Sequence, residues 1–210
     1  MLNLDQDPLV LAEEYGLEVE PMYFLSGLTS DKRILLRQKI VTKLCEAQSQ
    51  LPRGLKFKIW DGFRTTAVQQ KLYSELYKKL EQENSEWNEK RLHKATQEFV
   101  SEPTKDPSFA SPHNTGGAVD LTLIDDGGRE VLMGTPFDYF HEPAHTFYFE
   151  KAVIGSPEAE IHANRMVLYE ALVPLGFHNL SDEWWHFSYG DRVWAEATNK
   201  PIIYPSAEIC

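Results

Sequence analysis

The stretch SPHNTGGAVDLTL, residues 111–123, joins a turn-forming segment to a run of alternating apolar residues. The alternation predicts a strand that begins near residue 118, with its valine and leucines on one face and Asp120 on the other. A carboxylate in such a strand is costly to bury unless an arginine, a cluster of backbone N–H groups or a metal ion meets it. The paired glycines before the strand let the backbone fold back sharply, so the side chain of His113 can reach the same point as that of Asp120.

Three other segments carry strand signals. Residues 55–64 alternate apolar residues with lysines and predict a strand. The Asp-Asp-Gly-Gly run at 125–128 predicts a tight turn, followed by a return strand over 129–134. The stretch EWWHFSYG, residues 183–190, predicts a final strand. These strands are expected to pair as antiparallel hairpins.

Helical spacing of apolar residues fills much of the remaining chain. It predicts a helix that starts at Ser30 or Asp31, a second that is capped by Thr65 or its neighbour, and a third that ends near Gly176. Residues 135–161 are aromatic and irregular and predict a long surface loop. Helices mixed with antiparallel hairpins indicate the α+β class.

Composition narrows the class of partner. The chain has 210 residues, a net charge of −11 and 42% hydrophobic residues, which indicates a globular protein without the basic face that nucleic acid requires. Its two cysteines, Cys45 and Cys210, exclude a cysteine-based metal site. The sequence has neither a signal-peptide pattern nor a membrane-spanning stretch, so we expect a cytoplasmic enzyme or binding protein without nucleic-acid or membrane partners.

The polar residues near the predicted strands form a possible catalytic set. Two imidazoles and one carboxylate, from His113, His186 and Asp120, suit zinc and leave a fourth position for water. Glu183 lies three residues before His186, so we expect it in a turn before the strand, where it can accept a proton without binding the metal. Arg64, between a predicted strand and a predicted helix, can stabilise an oxyanion.

Each of these residues also has an ordinary structural explanation. His113 alone is typical of a loop histidine, Asp120 of a cap or surface ion pair, His186 of a hydrogen-bonded core histidine and Arg64 of a salt-bridge partner. The residue types and spacings leave both interpretations open.

The motif Ser111-x-His113-x-x-Gly-x-Ala-x-Asp120, followed by Glu183-x-x-His186, resembles the zinc D,D-peptidases. The resemblance is strongest to the D-alanyl-D-alanine dipeptidase branch, the VanX type. WDGFR, at 60–64, is similar to the family segment that carries a catalytic arginine, and MGTPFD, at 133–138, to one whose aspartate binds the substrate amine. The similarity covers roughly residues 55–189. The motifs assign no role to a residue of the first fifty.

The resemblance implies a role for each matching residue. The following residues would bind one zinc ion per chain: His113, Asp120 and His186. Glu183 would be the general base and then the acid for the leaving amine, and Arg64 would steady the carbonyl oxygen. Ser111 would hold the substrate carboxylate and Asp138 its ammonium group. A dipeptidase must recognise both charged ends of its substrate, so Asp138 is the residue that separates a dipeptidase from a carboxypeptidase.

The resemblance also implies a fold and a function. The fold would be the D,D-peptidase/hedgehog-like one, a central antiparallel sheet flanked by helices, in a single zinc peptidase domain over residues 1–210. The function would be cytoplasmic hydrolysis of the cell-wall dipeptide D-alanyl-D-alanine. The alternatives are a D,D-carboxypeptidase or peptidoglycan endopeptidase of the same superfamily and a zinc-binding hedgehog-like module without catalysis. The aromatic loop over 137–150 could form a lid over a small cavity.

Overall fold

Seven strands and six helices make up the regular part of the computed structural model, which describes residues 7–104, 106 and 109–207. Cys210 lies outside the described residues, and Cys45 packs against the core from a helix. In chain order the strands are β1 (Leu9–Leu11), β2 (Glu18–Val19), β3 (Leu35–Arg37), β4 (Leu55–Asp61), β5 (Ala118–Asp125), β6 (His178–Asn179) and β7 (His186–Ser188). The helices are α1 (Met22–Leu25), α2 (Gln38–Gln50), α3 (Thr66–Glu83), α4 (Glu89–Gln97), α5 (Pro157–Leu172) and α6 (Arg192–Thr198).

Five strands form the main sheet, in the order β2-β4-β5-β7-β6. The β4–β5, β5–β7 and β6–β7 pairs are antiparallel, whereas β2 runs parallel to β4 at one edge. Strands β1 and β3 form a separate antiparallel pair. The predicted α+β class with a central antiparallel sheet flanked by helices is therefore confirmed, with one parallel edge pair that the sequence pattern did not indicate.

The core lies against the apolar face of β5. Val119, Leu121 and Leu123 are fully buried there with side chains of α2 and α5, such as Leu44 and Leu168. Full burial of such side chains stabilises a fold by about 1.5–3 kcal/mol each. The opposite face of β5 is buried as well, and it carries Asp120.

The first long helix begins later than its apolar spacing predicts. Ser30 and Asp31 do not cap it, because α2 starts at Gln38 and the preceding residues form strand β3. The backbone N–H of Arg37 donates to the carbonyl oxygen of Gly116 at 2.9 Å, and its buried guanidinium donates to the carbonyl oxygen of Thr115 at 2.9 Å. These contacts with the turn before β5 hold the segment in an extended conformation.

Other predicted boundaries also shift. The turn at 125–128 forms, but residues after it make one isolated bridge, Ile124 with Glu130, instead of a return strand. The final strand is confined to β7, and helix α6, which the pattern missed, follows it. Thr65 caps α3 as predicted, since its side chain accepts from the N–H of Val68. No helix in the described part of the chain is long and apolar enough to cross a membrane.

Candidate active site

Strand register brings the predicted metal donors together. Asp120 on β5 lies directly opposite His186 on β7, and His113 lies in the short 3₁₀ turn that precedes β5. All three side chains are buried, and one donor atom from each lies within 4.8 Å of the others. The sheet therefore supplies two donors and the turn supplies the third.

The glycines before β5 make this turn possible. Gly116 has φ +73°, a left-handed conformation that glycine adopts without strain. A Cβ on Gly117 would clash with the carbonyl oxygen of Tyr189, so this position also needs glycine. The predicted sharp fold-back is confirmed, and it carries His113 towards Asp120.

The distances within the cluster leave room for one small cation among the donors. Nδ1 of His186 lies 2.9 Å from Oδ1 of Asp120, and Nε2 of His113 lies 3.3 Å from Oδ2 of the same carboxylate. The two ring nitrogens are 3.1 Å apart. Burial alone would raise the pKa of Asp120, but the two histidines together hold that pKa well below its usual value.

The outer nitrogen of each ring has its own hydrogen-bond partner. Nδ1 of His113 lies 2.8 Å from the carbonyl oxygen of Gly62, and Nε2 of His186 lies 3.1 Å from Oγ of Ser188. A ring that donates its outer N–H presents its other nitrogen as a lone-pair donor, which is the arrangement found around metal-bound histidines. The donor chemistry and its supporting contacts fit zinc, which binds imidazole and carboxylate groups.

Arg64 is buried, and its guanidinium donates hydrogen bonds to three side chains, those of Asp61, Gln69 and Tyr23. Its Nη2 and Nε lie 2.7 Å and 3.1 Å from Oδ2 of Asp61, and its Nη1 donates to Oε1 of Gln69 at 2.9 Å. Burial would lower the pKa of Arg64, but Tyr23, Asp61 and Asp120 raise it above its usual value, so the guanidinium stays charged. It lies 3.9 Å from Asp120, at the edge of the metal cluster.

Glu183 lies in the turn before β7, as predicted. Its backbone N–H donates to the carbonyl oxygen of Leu180 at 3.0 Å. Burial raises the pKa of its carboxyl group to about 8, and the negative charges of Asp120 and Asp138 add to the shift. A carboxyl group with a pKa near neutrality can both take up and release a proton during a reaction.

Asp138 lies in the long segment between β5 and α5, with φ +57°. Its Oδ2 accepts a hydrogen bond of 3.0 Å from the hydroxyl of Tyr23 on α1. Burial, followed by the charge of Asp120, raises the pKa of Asp138 to about 7. The Tyr23 hydroxyl also accepts from Nη2 of Arg64 at 3.2 Å. Tyr23 thus connects two of the predicted site residues.

All the predicted site residues line one cavity. It has a volume of about 200 Å³, and its lining includes Arg64, Ser111, His113, Asp120, Asp138, Glu183 and His186. Ligand sites for drug-sized molecules usually span about 300–1,000 Å³, so this cavity suits a smaller ligand.

The sequence patterns assign no role to three neighbours of these residues: Tyr23, Asp61 and Gln69. Asp61 lies within the WDGFR segment, so its position three residues before Arg64 was a usable signal. Tyr23 carries no local signal, because its contact with Asp138 joins helix α1 to a distant part of the chain. Gln69 lies five residues from Arg64, which it contacts, but its other contact, with the carbonyl oxygen of Ser101, is distant in sequence.

Comparisons with known proteins place the chain in a family. Residues 24–203 match the Peptidase_M15 family, described as D-ala-D-ala dipeptidase. A D-alanyl-D-alanine dipeptidase of Synechocystis sp. (strain ATCC 27184 / PCC 6803 / Kazusa) is 28% identical over 182 residues, covering 79% of this chain and 73% of the relative. A D-alanyl-D-alanine dipeptidase of Escherichia coli (strain K12) is 28% identical over 179 residues, and the match covers 81% of this chain and 78% of the relative.

Two solved structures also resemble the chain. A mutant of the vancomycin resistance D,D-pentapeptidase VanY, in complex with Zn(II), superposes with a TM-score of 0.45 and 19% identity. The match covers 90% of this chain and 87% of the VanY chain. VanYB in complex with D-alanine-D-alanine superposes with a TM-score of 0.45 and 18% identity, and the match covers 80% of this chain and 81% of the VanYB chain.

Proposed function

The chain is a member of the Peptidase_M15 family of D-ala-D-ala dipeptidases, and on that premise we propose that it hydrolyses the free dipeptide D-alanyl-D-alanine. One observation carries the proposal. Asp138, a carboxylate suited to bind an ammonium group, lines the same small cavity as the three metal donors. The substrate of a carboxypeptidase has an acylated nitrogen at this place and offers no ammonium group to pair with it.

Zinc is the proposed cofactor, held by His113, Asp120 and His186. When bound, zinc acts as a Lewis acid that polarises a carbonyl group and lowers the pKa of a water molecule. Each donor is supported by its neighbours, since Gly62 and Ser188 orient the rings and the register of β5 and β7 aligns Asp120 with His186. We propose one ion per chain, because the three donors form one cluster.

Glu183 is proposed as the proton carrier. Its carboxylate would take a proton from the attacking water and return it to the nitrogen of the leaving amine. The pKa of about 8, raised chiefly by burial, suits a group that must do both near neutral pH. Glu183 is not one of the three residues whose donor atoms cluster, although it lines the same cavity.

Arg64 is proposed to stabilise the negative charge that develops on the carbonyl oxygen. A guanidinium held in advance by Asp61 and Gln69 has little rotational freedom to lose during the reaction. Ser111, which is buried and lines the cavity, would donate its hydroxyl to the substrate carboxylate, and Asp138 would bind the ammonium group. A substrate recognised at both ends by a cavity of this size is a dipeptide.

The test is release of D-alanine by zinc-loaded protein from D-alanyl-D-alanine and, in parallel, from N-acetyl-D-alanyl-D-alanine. Turnover of the free dipeptide alone is the expected result. Preferential turnover of the acetylated peptide would instead make the protein a D,D-carboxypeptidase. Bound zinc without turnover of either would favour a non-catalytic module.

The variant Asp138→Asn refines this test. Loss of its charge should reduce kcat/KM for the free dipeptide about 100-fold, because a charge-assisted pair is lost, and should leave the acetylated peptide nearly unaffected. Equal losses on both substrates would contradict amine recognition. The matched control is Asp182→Asn, which changes an exposed carboxylate beside Glu183.

We also propose the cytoplasm as the location and a cell-wall dipeptide pool as the substrate source.

A further inference from the structure

Two phenylalanine rings line the cavity on the side of Asp138. Phe140 follows Asp138 by two residues in the same segment, and Phe99 follows helix α4. The centroids of the two rings lie 5.2 Å apart, with their planes at 35°. Both rings pack against a small apolar cluster that includes Tyr73 and Leu76 of α3. The rings therefore join the helical hairpin α3–α4 to the segment that carries the proposed amine acceptor.

A second, larger cavity lies behind these rings. Its volume is about 460 Å³, and its lining includes the apolar side chains Leu76, Leu80 and Trp87. Four residues line both cavities: Glu98, Phe99, Asp138 and Phe140. They form the partition between the two cavities, and Phe99 and Phe140 supply its bulk.

The partition is anchored to the candidate active site. Nε2 of Gln69 donates to the carbonyl oxygen of Ser101 at 2.8 Å, while Oε1 of the same side chain accepts from Arg64. Val100, between Phe99 and Ser101, is buried. The chain directly after Phe99 is thus held by Val100 and Ser101, and the Gln69 side chain that binds Ser101 also positions Arg64.

We propose that Phe99 and Phe140 set the size limit for the side chain of the substrate residue that carries the free amine. The inference rests on the proposed function, in which Asp138 binds the ammonium group. An ammonium nitrogen at Asp138 places the adjoining α-carbon beside the partition, because α-carbon and nitrogen are directly bonded. A hydrogen or methyl group fits in front of the rings, whereas a branched or aromatic side chain meets them.

The substrate class is therefore D,D-dipeptides whose first residue is small, such as alanine. The second cavity would accept a larger apolar side chain once the partition is opened. Discrimination between side chains that differ by one methylene is typically about 10–200-fold in an apolar pocket, so truncation of a whole ring should have a large effect on selectivity.

The test compares D-Leu-D-Ala with D-Ala-D-Ala in Phe140→Ala and Phe99→Ala. The ratio of kcat/KM for D-Leu-D-Ala to that for D-Ala-D-Ala should rise at least about tenfold over wild type in each variant. Phe147→Ala is the matched control, because Phe147 belongs to the same aromatic segment but is exposed and lines neither cavity. A ratio equal to that of wild type in both variants would overturn the proposal. If either alanine variant fails to fold, Phe140→Leu and Phe99→Leu keep apolar packing while removing the ring.

Binding provides a readout that does not need turnover. In a Glu183→Gln background, calorimetry should show that Phe140→Ala improves the Kd of D-Leu-D-Ala relative to that of D-Ala-D-Ala. Hydrolysis of D-Ala-D-Ala with unchanged ratios would overturn the size limit alone. If wild type hydrolyses neither dipeptide and Glu183→Gln binds neither, the proposed function fails and the size limit fails with it.

Discussion

The hydroxyl of Tyr23 lies 3.0 Å from Oδ2 of Asp138, although 115 positions of sequence separate the two residues. The same hydroxyl accepts a hydrogen bond from Arg64 at 3.2 Å, and the Arg64 guanidinium lies over the Tyr23 ring, 4.7 Å from its centroid. Tyr23 therefore contacts both Asp138, the proposed acceptor of the substrate amine, and Arg64, which is proposed to stabilise the transition state.

Tyr23→Phe should lower kcat/KM for D-Ala-D-Ala about tenfold or more, because a hydrogen bond to a charged group is worth about 1.5–3 kcal/mol. Zinc content should not change, since Tyr23 contacts none of the proposed ligands. Tyr148→Phe, at an exposed ring, is the control for loss of a hydroxyl. An unchanged kcat/KM in Tyr23→Phe would show that its contacts play no part in the reaction.

Glu183→Gln should reduce kcat by at least about 100-fold, because an amide cannot accept and return the proton. Bound zinc should remain at one ion per chain, as the side chain lies outside the donor cluster. Steady-state kinetics and metal analysis measure the two quantities. Asp182→Asn removes a carboxylate one position away and should retain wild-type activity. Activity that survives in Glu183→Gln would remove the residue from its proposed role.

Asp120→Ala should abolish stoichiometric zinc binding, because it removes the carboxylate that lies against both histidines. Metal analysis after dialysis and the thermal shift on addition of zinc are the measurements. Wild-type protein should be stabilised by zinc, since a ligand that binds only the folded state raises its stability. Asp126→Ala, at an exposed turn position, should behave as wild type. Full zinc content in Asp120→Ala would contradict the ligand assignment.

The raised pKa of Asp138 predicts a pH dependence of stability. The pKa of this carboxyl is about 7 in the folded protein, against an ordinary value of 3.8, mainly because of burial. Between about pH 4 and 7 the folded protein keeps a proton that the unfolded chain has released, so the free energy of unfolding falls as pH rises through this window. In Asp138→Asn the side chain at this position does not titrate, so this contribution to the pH dependence is absent. In urea titrations of metal-free protein, stability of wild type relative to Asp138→Asn should therefore fall from pH 5 to pH 8, and a constant difference would contradict the shift.

Arg165 should be essential for stability. Its guanidinium is buried and donates four hydrogen bonds of 2.7–2.9 Å to the carbonyl oxygens of Met133, Pro143 and His145. These carbonyls bracket the segment that carries Asp138. Arg165→Met should cost about 3 kcal/mol or more in urea unfolding, because it leaves buried carbonyl groups without donors. Arg129→Met, at an exposed ion pair, should cost less than about 1 kcal/mol. Similar losses in both variants would show that these hydrogen bonds contribute little.

The same contacts tie down part of the aromatic loop over residues 137–150. Arg165 donates to the carbonyl oxygens of Pro143 and His145, and Trp184 donates its backbone N–H to the carbonyl oxygen of Ala144 at 3.0 Å. These hydrogen bonds join the middle of the loop to α5 and to the turn of Glu183. The proposal that this loop acts as a lid stays a prediction.

The sequence by itself determined the residues of the candidate metal centre. Alternation along β5 places Asp120 opposite the core, two glycines turn the chain at His113, and three positions separate Glu183 from His186. These features are local, so period and turn chemistry place them, and the resemblance to the zinc D,D-peptidases singled them out as metal ligands. The tertiary structure alone decided that residues 35–37 pair with β1 and that Tyr23 reaches Asp138. It also placed Phe99 against Phe140. Each of these contacts joins segments far apart in the chain, and their energy comes from partners that no local pattern identifies.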